Sequence, residues 1–95
     1  MLFRSAEPID RIYFAGPDAM RLEDAARAFD IRHRGFADTV VWNPGCVLTA
    51  TMADMQPDGF RRMLCVEAAA IEPPVSLRAG QSWSGGQALT LSSHP

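Results

Sequence analysis

The stretch Met20-Arg-Leu-Glu-Asp-Ala-Ala-Arg-Ala-Phe29-Asp-Ile31-Arg-His33-Arg-Gly35 decides the fold, because it can be read with two periods. Met20, Ala25, Ala26 and Phe29 form a helical stripe, and Leu, Glu and Ala are good helix formers. Phe29 and Ile31 alternate instead with Asp30 and Arg32, a period-2 pattern that runs into Gly35. Local propensity leaves the two readings balanced.

The flanks read more plainly. Upstream, Asp10-Arg-Ile-Tyr-Phe-Ala15 is rich in β-formers and closes on Gly16-Pro17, which reads as a strand and a turn. Downstream, Asp38-Thr-Val-Val-Trp42 is a β segment ended by Asn43-Pro44-Gly45, and Thr49 to Met55 is expected to make a turn or two of helix. Gln56-Pro-Asp-Gly59 is a turn, with Pro presetting φ and Gly supplying a positive one. Met63 to Val66 reads as a buried strand continued by Ala68 to Ile71, and Pro73-Pro74 breaks the chain. A short strand is expected at Val75 and Leu77 before the Arg78-Ala-Gly80 turn, and another within Trp83 to Leu91. Short strands punctuated at close intervals point to an all-β sandwich.

Composition bounds the function. The 95 residues make one small domain or a piece of a larger one. The charge is −2 with a pI near 5.5, and all nine basic residues are Arg. Such a chain lacks the concentrated basic surface that nucleic-acid binding needs, so no nucleic-acid partner is expected. At 47% hydrophobic residues and a mean hydropathy of −0.05, the chain is globular, not disordered. The charge-free stretch Thr39 to Ala53 holds Pro44 and Gly45 and is too short for a bilayer, and Arg4 and Glu7 interrupt the start before a signal-peptide core forms. These features predict a soluble cytoplasmic protein without a membrane partner. Cys46 and Cys65 have neither CxxC nor His spacing, so neither a metal site nor a disulfide framework is expected.

Glu67 stands out among the candidate residues. It is a carboxylate among small and apolar neighbours, Leu64-Cys-Val-Glu67-Ala-Ala69. Facing solvent it would be a strand-end charge; facing a cleft, desolvation would raise its pKa and make it a general base. Asp10 beside Arg11 is either half of a strand-edge ion pair or an acceptor for substrate hydroxyls. Trp42 and Trp83 are core residues or stacking platforms for sugar faces. His33 and His94 have no partner at ligand or triad spacing, and Cys65 reads as a small buried hydrophobe. Asp54 and Asp58 flank a turn and are expected in solvent. Arg61 and Arg62, taken as strand neighbours, would point to opposite faces and could not share one phosphate.

Three blocks taken together carry a resemblance. They are Ile9-Asp-Arg-Ile-Tyr13; Val40-Val-Trp-Asn-Pro-Gly45 leading to Met52-Ala-Asp-Met55; and Asp58-Gly-Phe60 with Leu64-Cys-Val-Glu-Ala68. In this order and spacing the chain resembles the C-terminal portion of the hexose-6-phosphate mutarotases (glucose-6-phosphate 1-epimerases), of the aldose 1-epimerase-like superfamily. Val75-Ser-Leu77, Ala79-Gly80, Ser82-Trp83 and Gln87 are similar to that family's last hairpin. The resemblance implies an antiparallel β-sandwich of galactose-mutarotase type, which turns Met20 to Phe29 towards strand. It implies that residues 1–91 are the C-terminal part of such a sandwich; Ser92 to Pro95, as a terminal tail, are expected to fray. Glu67 then matches a catalytic residue that would serve as general base, and Asp10 matches a sugar contact. The implied reaction interconverts α and β anomers of hexose 6-phosphates with neither cofactor nor metal. The family's acid His and phosphate-binding Arg residues lie upstream of the matched blocks, so a missing N-terminal half is the implied partner and the chain alone is expected to be inactive. The alternatives are a noncatalytic carbohydrate-binding remnant and a nonfunctional truncated copy.

Overall fold

Asp24 settles the ambiguous stretch. In the computed structural model of the protein, which describes residues 7–93, its Oδ1 accepts hydrogen bonds from the backbone N–H of Ala26 (2.8 Å) and Arg27 (2.7 Å). Its own N–H donates to the Arg27 carbonyl at 3.0 Å. An aspartate that satisfies the backbone two and three residues on favours a turn over a continuing helix. The turn joins β2 (Ala19–Glu23) to β3 (Arg27–Arg34) as an antiparallel pair, with Met20 opposite Ile31 and Leu22 opposite Phe29.

β3 is the middle strand of a three-stranded antiparallel sheet in the order β2-β3-β6, where β6 is Gly86–Ser93. It carries two of the core residues, Ala28 (0% exposed) and Ile31 (2%). Ser92 and Ser93, placed in the tail by the sequence, belong to β6 and pair with Ala28 and Arg27. Residues 1–6, with Arg4, and residues 94–95, with His94 and the rest of that tail, lie outside the described residues. Across this sheet Arg21 reaches Asp30 and Glu23, each at 3.0 Å, in an exposed cluster.

A second three-stranded sheet has the order β1-β4-β5, from β1 (Ile9–Tyr13), β4 (Asp38–Asn43) and β5 (Cys65–Ala69). Between β4 and β5 the chain makes one short helix, α1 (Gly45–Thr49), and a 3₁₀ turn at Gly59–Arg62. The described chain divides into two compact units. One joins the segment ending at Tyr13 to Val40–Glu67, and the other joins Phe14–Thr39 to the segment from Ala68 onward.

Three local expectations are corrected. The helix comes before Thr49, because Gly45 takes φ +73°, its N–H donates to Asn43 Oδ1 at 2.9 Å, and its carbonyl accepts from the Thr49 hydroxyl at 2.6 Å. No strand forms at Val75 and Leu77, which are 41% and 56% exposed beyond a turn at residues 71–74 that holds Pro73 and Pro74. Arg61 and Arg62 sit in the 3₁₀ turn instead of a strand. The Arg62 guanidinium donates to both Asp58 carboxylate oxygens (2.9 and 3.0 Å) and to Gln56, while Arg61 lies 5.2 Å from the Phe60 ring centre. Arg62 holds the Asp58 carboxyl below the usual carboxylate range, so Asp58 is ion-paired as well as exposed.

Within the second unit, Asp38 is a buried anchor. Its Oδ2 accepts from the N–H of Ile71 (2.8 Å) and Glu72 (2.7 Å), and its Oδ1 accepts from the N–H of Ala15 (3.2 Å). The Glu72 N–H most of all, then those of Ile71 and Ala15, outweigh burial and hold the Asp38 pKa below the ordinary value.

Candidate active site

Glu67 is the middle residue of β5 and is exposed, while Cys65, Val66, Ala68 and Ala69 on either side are half-buried. Side chains alternate along a strand, so Cys65 and Glu67 share one face and Val66 and Ala68 take the other. The electrostatics agree: burial, and then the Glu67 charge, push the Cys65 thiol above its ordinary pKa. Asp10 is also exposed, on β1. The order β1-β4-β5 places the two carboxylates on the outer strands of one sheet with β4 between them. The two outer strands lie two strand spacings apart, about 10 Å.

The segment leading into β5 is fixed by a residue to which the sequence assigned no more than a turn and a place in the Trp-Asn-Pro block. Asn43, the last residue of β4, is fully buried at 0% exposure. Its amide Nδ2 donates to the carbonyls of Phe60 (2.8 Å) and Met63 (2.7 Å), and its Oδ1 accepts from the Gly45 N–H. All three polar positions of the side chain are used, as a buried amide requires. Gly45 is itself packed tightly: a Cβ built there would lie 2.8 Å from the Pro8 nitrogen. The Trp42-Asn-Pro-Gly45 block is thus a brace at the end of the central strand.

Other candidates are distributed through the second unit. His33 is buried at 5% exposure on β3, and its Nε2 lies 2.9 Å from Gln87 Nε2 on β6. The Gln87 amide nitrogen is the donor of this pair. The ring fills the sheet with a partner 54 positions away, which motif spacing could not have revealed. Trp83 is 42% exposed and meets Phe36 edge to face at 5.0 Å and 82°, so one side of the indole is packed. Trp42, in the first unit, is half-buried on β4. Among the described residues no group of three or more His, Cys, Asp or Glu is arranged to hold a metal ion, and no helix is long and apolar enough to cross a membrane.

Comparison with known proteins bears on both the fold and the site. Residues 1–90 match the family described as Aldose 1-epimerase. A protein of Cenchrus ciliaris named "Putative glucose-6-phosphate 1-epimerase" is 36% identical over 84 residues, which cover 86% of this chain and 26% of that protein. Proteins of the same name from Escherichia coli and Salmonella typhimurium are each 37% identical, over 62 and 60 residues, covering 63% and 61% of this chain. The chain therefore spans about a quarter of the length of the curated relatives it matches. No solved structure shows a significant match to it. A match running over nearly every residue, on a chain whose described elements are six β-strands with one short helix and one 3₁₀ turn, makes this protein a member of the aldose 1-epimerase family and of its β-sandwich fold class.

Proposed function

We propose that the chain supplies part of a site that interconverts the α and β anomers of hexose 6-phosphates, with Glu67 as general base and Asp10 as a sugar-binding group. The observation that carries this reading is the family match over residues 1–90, joined to relatives named for glucose 6-phosphate. Mutarotation needs a base to take the C1 hydroxyl proton while an acid protonates the ring oxygen. The C1–O5 bond then breaks, the aldehyde turns about C1–C2, and the ring recloses on the other face with the protons returned. Glu67 is exposed at mid-strand, the solvent-facing of its two placements, so its role as base rests on the family match and not on desolvation; a placed base contributes roughly 10²–10⁴-fold. Asp10 is an acceptor for sugar hydroxyls on the same sheet. The acid and the phosphate-binding groups are assigned to residues beyond this chain, and a cytoplasmic location suits a sugar phosphate.

The test uses the chain alone and the chain grafted in place of its matching segment in the Cenchrus ciliaris relative, with that relative unmodified as reference. Anomer exchange of glucose 6-phosphate is followed by exchange NMR. The graft should exchange anomers well above the buffer rate, Glu67→Gln should return it to that rate, and the chain alone should stay there. Undiminished exchange in the Glu67→Gln graft removes the base assignment. Sugar-phosphate binding without exchange in the unmutated graft favours the noncatalytic alternative.

A further inference from the structure

We infer that Asn43 is a positioning residue whose amide locks the register of β5 and so decides which face of the sheet carries Glu67; the catalytic consequence rests on the function proposed above. Strand register is normally set by a contrast between a buried and a solvated face, and a slip of one residue moves every side chain to the opposite face. β5 lacks that contrast. It is five residues of Cys, Val, Glu and Ala, and the four other than Glu67 are half-buried whichever face they take. Three of its five side chains, Cys65, Ala68 and Ala69, are small and give little steric opposition to a shifted strand. Turn geometry does not set the register either, because β5 follows the 3₁₀ turn at Gly59–Arg62 and not a tight hairpin.

Asn43 supplies what the strand lacks. From the end of β4, the strand beside β5, its Nδ2 holds the Phe60 carbonyl at the 3₁₀ turn and the Met63 carbonyl two residues before Cys65. Both bonds are 2.8 Å or shorter and the side chain is wholly buried, so a slipped β5 would leave two donor positions without partners in a dry site. On its other side the same side chain is fixed by the Gly45 N–H, so the amide cannot follow a moving strand. The clamp is directional: the fixed carbonyl is four residues before Glu67.

Asn43→Asp separates the clamp from the turn, since a carboxylate still accepts from Gly45 but donates to neither carbonyl. The readout is cross-strand NOEs and amide-exchange protection in the 95-residue chain labelled with ¹⁵N. The expected result is that the native contacts of β5 with β4 weaken or double and that protection of Cys65–Ala69 falls by an order of magnitude or more. The β2-β3-β6 sheet should keep its pattern, and lowering the pH, which protonates the introduced carboxyl and restores one donor, should shift the β5 signals back. Asn43→Ser, smaller and neutral, should repeat the loss without the pH response. Native β5 contacts in both variants overturn the inference, as does loss of both sheets together, which would make Asn43 a general stabiliser. In the graft, either variant should lower kcat more than it raises KM. If Glu67→Gln leaves anomer exchange unchanged, the catalytic reading falls while the clamp still stands or falls on the NOEs.

Discussion

Gly45 and Gly80 both adopt left-handed backbone conformations, φ +73° and +83°, yet their surroundings differ sharply. A Cβ added at Gly80 would meet no atom within 4 Å, whereas one at Gly45 would lie 2.8 Å from the Pro8 nitrogen, 3.0 Å from its Cδ and 3.1 Å from its Cα. The pair therefore separates backbone strain from steric conflict. For Gly80→Ala, left-handed strain of roughly 1–2 kcal/mol is offset by roughly 0.4–1 kcal/mol from the stiffer unfolded chain. The net loss is about 0.5–1 kcal/mol, or a fall of roughly 2–8 °C in Tm for a domain of this size. Gly45→Ala carries the same strain plus an overpacking cost of roughly 1–3 kcal/mol, since a backbone nitrogen must move. It should lose about 1.5–4 kcal/mol, a fall of roughly 6–32 °C. Thermal unfolding followed by circular dichroism reads both variants. Adding Pro8→Ala to Gly45→Ala should recover only a small part, because it removes the Cδ contact and leaves the closer one to nitrogen. If Gly45→Ala loses no more than Gly80→Ala, the tight approach of Pro8 to the turn after β4 is not a feature of the folded protein, and the brace around Asn43 loses one of its walls.

Three further outcomes are expected. Because Asp38 titrates below its unfolded value, its contribution is complete above about pH 4 and is lost as the pH falls through the lower folded value. Urea midpoints should drop on acidification more steeply in the wild type than in Asp38→Asn, which should itself be less stable at pH 7; parallel pH curves would contradict this. Cys65 should react with iodoacetamide more slowly than the exposed Cys46, and Glu67→Gln should speed Cys65 by removing a charge that raises its pKa. Peptide mapping by mass spectrometry reads this, and an unchanged Cys65 rate would separate the two side chains. In the grafted protein, Asp10→Asn should raise the KM for glucose 6-phosphate more than it lowers kcat, and the reverse split would move Asp10 from binding to chemistry.

What could be read in the sequence follows the range of the interactions involved. β1 and β4 depend on contacts within a few residues, and side-chain type reports those directly. The Gln56–Gly59 turn also forms, closed by the Gly59 N–H on the Gln56 carbonyl at 2.9 Å, but Gly59 does not take the expected positive φ and instead opens the 3₁₀ turn. The Met20–Phe29 stretch was balanced because helix propensity and β alternation are both local signals of similar strength. The Asp24 side chain resolves it by taking the N–H groups of Ala26 and Arg27. The misplaced helix has the same origin. Gly45 after Asn-Pro signals a stop, but the Asn43 and Thr49 side chains turn that glycine into the first residue of α1. Val75 and Leu77 have strand-forming side chains without a strand to pair with, and propensity alone does not make a strand.

The long-range polar ties within each unit are the ones that sequence could not supply. Asn43 reaches partners 17 and 20 positions away, Asp38 reaches 33 and 34, and His33 meets Gln87 across 54. Each is a polar side chain whose identity suits a surface turn or a strand end as well as a buried tie, and only burial distinguishes the two. Glu67 and Asp10 are the converse case, since both are exposed and neither is explained by packing. A carboxylate at mid-strand on a half-buried edge gains nothing for the fold that Thr or Val would not supply better. Its presence is a reason to look for chemistry there. The buried Asn43, which holds the way into that strand, is what such a site needs from the rest of the molecule.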